Sequence, residues 1–235
     1  MLKHYPYKSL GNADHGWLKS KHHFSFASYY DPSRMGFGKL RVVNDDRVAP
    51  GTGFPSHSHR NMEIISFIRS GVMTHKDSTG NEGITKTGEV QVMSAGTGIV
   101  HSEYNRTKDP LIFYQIWIET NKHDVEPRWE SKRFRTNQSS TLNLLASGHP
   151  EDRGNVLFIN QEVRIYGGKL AKGSIIEHGI KHQAYVLASD GIFKVEDNSG
   201  SVTMNKGDGM EVTQSNSITL RVSTDCEIII IDTIN

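Results

Sequence analysis

Short runs of alternating apolar and polar residues fill most of the chain, with few stretches carrying the 3.6-residue spacing of an amphipathic helix. In the first half, 39–44 (KLRVVN), 63–68 (EIISFI), 71–77 (GVMTHKD), 89–94 (EVQVMS) and 111–119 (LIFYQIWIE) read as strands. PGTG, RSG, STGNEG and SAGTG supply the turns between them. The second half repeats the habit at 164–170, 184–189, 191–197, 209–213, 217–223 and 227–232. Frequent short strands predict an all-β sandwich or barrel. The polar stretch 119–140 lacks a sustained period and reads as the connector, giving units of 1–125 and 126–235.

The halves also match one another. SFIRSGVMTHKDSTGNEGITKTGEVQV lies over YVLASDGIFKVEDNSGSVTMNKGDGMEV when Gly71 is set on Gly191. Asp77 then falls on Asp197, Gly80 on Gly200 and, after one deletion, Gly88 on Gly207. Duplication of one β unit accounts for the pattern, each copy predicted as a small jelly-roll barrel.

Charge is nearly balanced, 27 basic residues against 26 acidic, which gives a nucleic-acid backbone no obvious partner surface. The basic cluster RWESKRFR (128–135) is broken by Glu130 and reads as a solvated connector. The single Cys226 excludes an intrachain disulfide and lies in an apolar run that predicts a buried structural thiol. No apolar run has the length of a membrane span and the N-terminus lacks a signal-peptide core, so the expectation is a soluble, cytoplasmic protein without membrane contact.

Candidate chemistry changes the picture more. In GTGFPSHSHRNME (51–63), His57 and His59 stand two apart, and on a strand they project from one face. An HxH pair alone serves equally as hydrogen-bonded or solvated histidines. The later GEVQVMSAGTGIVHSEYN (88–105) adds His101 and Glu103 at the same spacing. Two such pairs on neighbouring strands converge three imidazoles and a carboxylate, a donor set for iron, nickel, copper, zinc, manganese or cobalt rather than magnesium or calcium. Continuing the internal alignment, His57 falls on Glu177, His59 on Gly179, His101 near Leu220 and Glu103 near Val222, so the second unit lacks the ligands.

The adjacent His22 and His23 face opposite sides of a strand and are expected to pack, while His75 precedes a turn from which it could reach the cavity, a solvated strand position being the favoured expectation. His178 and His182 are expected to be ordinary packing or surface residues. Phe54, Met73 and Phe113 are candidates for an apolar substrate wall and Gln115 for a polar contact, with the aromatics of YQIWI expected in the core. SAGTG lacks the Gly-Lys-Ser/Thr ending of a phosphate loop, which excludes that mode of nucleotide binding.

GTGFPSHSHRNME fits the G(x)5HxH(x)3E form of the first cupin motif, and GTGIVHSEYN resembles the second. Together with FSFASYYDP (24–32), MGFGKLRVVNDD (35–46) and YQIWI (114–118), these resemble the pirin family, including bacterial members with quercetinase activity. The resemblance implies a bicupin, two jelly-roll β-barrels in tandem, with one divalent metal, Fe(II) favoured. It implies a dioxygenase that cleaves a flavonol such as quercetin, with a small aromatic substrate and dioxygen as partners. The cupin pattern takes its carboxylate from the first motif, here Glu63. The pirin pattern takes Glu103, as ligand and as proton acceptor, and leaves Glu63 a supporting role. Two other readings use the same cage: a redox-sensing regulatory module with a protein partner, and a zinc isomerase or hydrolase.

Overall fold

The computed structural model describes residues 1–134 and 141–235. Its strands form four sheets, two of seven strands and two of four. In the first unit the large sheet runs, in spatial order, Arg128–Arg133, Glu89–Ser94, Met62–Ser70, Leu111–Glu119, Leu40–Val48, Leu18–His22 and Gly11–Asp14. The small sheet runs Gly53–His59, Ile99–Tyr104, Val72–Asp77 and Glu82–Lys86. The second unit repeats the small sheet as Ile175–Gly179, Ser217–Val222, Ile192–Asp197 and Gly200–Asn205. Its large sheet carries Gly209–Val212, Gln183–Asp190, Cys226–Thr233 and Val163–Leu170 in the corresponding order. The fold is therefore a bicupin. Each jelly roll is two sheets packed over a core, without strand pairing between them among the described residues.

Strand alternation decides what each side chain touches. On Met62–Ser70, Ile64 and Ile68 pack inside the first unit, while Ile65 and Phe67 join an apolar layer shared with Leu145, Ile165, Leu187 and Ile229 of the second. The two large sheets thus lie back to back. Arg34 adds a polar tie: its Nη2 donates to the His23 carbonyl at 2.8 Å and to Tyr185 Oη at 3.1 Å, and its Nη1 pairs with Glu211.

Two segments cross the expected boundary. Leu2–Tyr5 pairs with Gly209–Val212 at the edge of the second unit's sheet. Arg128–Arg133, read from its charge as a connector, pairs with Glu89–Ser94 at the edge of the first. Its inward residue, Trp129, is what makes it a strand, because the ring stacks on His75 beneath it. Residues 135–140 of the same stretch lie outside the described residues. Cys226 is buried, and no helix among the described residues is long and apolar enough to cross a membrane.

The second unit's ligand positions need a correction. Asp77 and Asp197 close the same turn, each accepting the N–H and O–H of the residue two further on. His75 is then the counterpart of Val195, and their cross-strand partners are Glu103 and Leu220. Two residues earlier, His101 matches Ile218, whose partner is His178 just as that of His101 is His57. Counting along the sequence slipped because turn lengths differ between the copies. The second unit keeps one histidine, His178, half-buried with its ring edge-on to Tyr166, and apolar residues at the positions of His101 and Glu103.

Candidate metal centre

Gly53–His59 runs antiparallel to Ile99–Tyr104, with His57 opposite His101 and His59 opposite Ile99. The three imidazoles form a compact triangle, with ring centroids 4.8 Å (His57–His59), 4.4 Å (His57–His101) and 5.0 Å (His59–His101) apart. His57 Nδ1 lies 2.7 Å from the Pro55 carbonyl, which can only accept, so the proton sits on Nδ1 and Nε2 carries a lone pair. That Nε2 faces His101 Nε2 at 3.1 Å. Burial, followed by the neighbouring imidazoles, pushes the His101 pKa down to about 2. Burial and then His57 push that of His59 down to about 4. Both rings are neutral at pH 7 and offer lone pairs rather than charge.

Glu103 enters from the same strand as His101, past a register shift between them. It is buried, with Oε1 accepting from Gln91 Nε2 at 2.7 Å and Oε2 from Gln115 Nε2 at 2.8 Å. Burial raises its pKa to about 7 against the pull of hydrogen bonds from Gln115, Gln91 and Ser66. The two amides stand in register with Ser66 across three strands of the large sheet, which fixes how the carboxylate is held.

The donor atoms of His57, His59 and His101 lie within 4.8 Å of one another, and so do those of His75, His101 and Glu103. The expected four residues therefore gather around His101 as two overlapping triads, and a fifth residue joins them. His75 is 1% exposed and not solvated. Its Nε2 donates to Asp77 Oδ2 at 2.8 Å, and its Nδ1 is buried without a hydrogen-bond partner. Trp129 covers it, ring centroids 4.9 Å apart and planes 10° from parallel. Gly83 makes room for that lid, since a Cβ there would stand 2.1 Å from the indole. The local HxD spacing, 75 and 77 on one face, was the available signal. The covering tryptophan comes from a segment 54 positions on, which no local pattern reveals.

Glu63 lies elsewhere. On an unbroken strand it would share a face with His57 and His59, but the strand breaks at Asn61, whose φ of 49° is left-handed. The chain resumes in the other sheet, where Glu63 turns towards the second unit. There it accepts from Ser94 Oγ at 2.7 Å and Asn160 Nδ2 at 3.1 Å, with Arg128 Nη2 at 4.0 Å.

The expected substrate contacts divide. Met73 and Phe113 are wholly enclosed in a core with Leu18, Val48, Ile68 and Leu111. Phe54 is partly buried, edge-on to Trp17 and 6.5 Å from the His57 ring. Gln115 is committed to Glu103. Trp117, expected in the core, is partly exposed and stands 4.9 Å from His59. Of the paired histidines, His22 bonds Asn44 at 2.7 Å inside the first unit and His23 bonds Tyr185 at 2.9 Å between units, opposite faces as expected.

Three imidazoles and a buried carboxylate converge here, a donor set that suits a transition-metal ion. Fold and cluster together define the class: a bicupin with a histidine–carboxylate pocket in its N-terminal unit. The family described as Pirin matches residues 4–118, and the Quercetinase C-terminal cupin domain matches 144–233. A Zymomonas mobilis protein provisionally named quercetin 2,3-dioxygenase is 44% identical over 236 residues, covering 99% of this chain and 98% of its own. The quercetin 2,3-dioxygenase of Escherichia coli K12 is 39% identical over 228 residues, 94% of each chain. The crystal structure of the E. coli bacterial pirin YhhW in complex with nickel(II) superposes with a TM-score of 0.91, at 36% identity over 99% of each chain. The chain belongs to the pirin family.

Proposed function

We propose that this protein is a metal-dependent dioxygenase that cleaves a flavonol such as quercetin with dioxygen and releases carbon monoxide. The observation that carries the reading is the convergence of His57 and His59, half-buried, with the buried His101 and Glu103. Relatives named as quercetin 2,3-dioxygenases support it. His57, His59, His101 and Glu103 would hold the ion. Fe(II) is the reading we favour; Ni(II) suits the same donor types, and the E. coli relative was crystallised in complex with nickel(II). When bound, the metal supplies Lewis-acid polarisation of the substrate's enolic hydroxyl and an open position for dioxygen chemistry.

The chain's own groups do the rest. Glu103, with a proton affinity that burial sets near neutrality, accepts the hydroxyl proton. Gln91 and Gln115 keep its carboxylate from swinging away. Phe54 and Trp117, flanking His57 and His59, give an aromatic substrate two ring surfaces to pack against.

Aerobic incubation of metal-loaded protein with quercetin, followed by absorbance, oxygen uptake and carbon monoxide release, tests the proposal. Turnover that disappears in His59→Ala together with the metal is the expected result. A fully loaded protein that leaves quercetin and dioxygen untouched overturns it.

A further inference from the structure

Away from the metal centre, at one end of the layer between the units, lies a cleft of about 480 Å3 walled by both. Its walls carry six cations (Lys19, Lys21, Arg47, Arg69, Lys169 and Lys206) against three carboxylates. The carboxylates are already engaged: Asp45 pairs with Arg69, Asp190 with Lys206 at 2.9 Å, and Glu227 accepts from Ser189 Oγ at 2.6 Å. Lys19 is taken by Asp14 at 3.3 Å. Among the described residues, Lys21, Arg47 and Lys169 have no carboxylate partner. A narrow polar cleft with that surplus concentrates anions.

The floor points the same way. Arg69 reaches across to the Ser189 carbonyl with Nη1 at 3.4 Å and lies over the Tyr114 ring, 4.2 Å from its centroid. Its Nε is buried without a partner. That N–H is a hydrogen-bond donor, and buried donors without acceptors are rare in folded proteins. What is missing is an acceptor, and the surrounding cations favour a negatively charged one.

We propose that this cleft is a binding site for a small oxyanion, a metabolite bearing a phosphate or carboxylate group. Arg47, Lys21 and Lys169 neutralise its charge, and Arg69 anchors it from the floor. Cavities between domains are common ligand sites, and this one joins the two units through what it binds.

Calorimetric titration of the metal-loaded protein with inorganic phosphate, glycerol 3-phosphate and malonate, at fixed ionic strength, tests the site. Saturable binding of one ion per chain is expected, and the stronger of the phosphates and malonate identifies the group recognised. The double variant Arg47→Ala/Lys169→Ala, at two exposed positions, should weaken binding at least tenfold with metal content unchanged. Three results overturn the proposal: no saturable binding of any of the anions, equal binding by the double variant, or binding that vanishes when only the metal is removed.

Discussion

Replacing Glu103 by glutamine keeps its volume and removes its charge, leaving neutral donors alone to face an ion. Metal occupancy and turnover should both collapse. Glu63→Gln alters a hydrogen-bonded group between the units, so occupancy should stay at the wild-type level. His75→Ala removes a buried lone pair beside His101 and Glu103 and should lower metal affinity about 10- to 100-fold, the usual cost of losing a supporting group at a metal site. Elemental analysis and competition with a chelator, run on the three variants side by side, decide these outcomes. An empty Glu63→Gln protein with a loaded Glu103→Gln protein would reverse the assignment of carboxylates. The i, i+2 spacing made the paired ligands legible, since it holds on any strand. It does not extend to Glu63, because one left-handed residue between His59 and Met62 moves the chain to another sheet.

At the scale of the element, the Val72–Asp77 strand and its turn carry a second consequence. Burial alone would raise the Asp77 pKa, but hydrogen bonds from Thr79, His75 and Asn81 outweigh it and hold the value at about 2. A depressed carboxylate stabilises the fold above its unfolded pKa of about 3.9 and loses that contribution as pH falls through the folded value. Wild type should therefore shed about 2 kcal/mol of this turn's stability between roughly pH 4 and pH 2. Asp77→Asn should be less stable at pH 7 and show a flatter acid limb in denaturant titrations. Equal slopes for the two proteins would remove the role. Strands with one apolar face, such as Glu89–Ser94 and Leu111–Glu119, stand where their alternation placed them. Arg128–Arg133 went unread because it is short and mostly polar, and pairs at a sheet edge. Its strand character comes from a partner distant in sequence, Glu89–Ser94.

For the molecule as a whole, the apolar layer between the large sheets makes the two units one cooperative body. Either unit alone would expose residues such as Tyr114, Ile116, Leu187 and Ile229, all fully buried here. Calorimetry should show one transition whose measured and van't Hoff enthalpies agree; two resolved transitions would mean the units unfold independently. The duplication was readable in the glycine and aspartate spacing, and its divergence follows from the same register: where the first unit gathers donors, the second packs Val195, Ile218 and Leu220. The placement of Leu2–Tyr5 also bears on synthesis. Leu2–Tyr5 is synthesised well before Gly209–Val212, the strand it pairs with. Until that strand emerges the earlier segment has no edge to join, and the nascent first unit waits similarly for Arg128–Arg133 to cover its own open edge. Closure of both sheets must therefore wait for late-made partners, and anchoring Leu2–Tyr5 away from the second unit should hinder maturation.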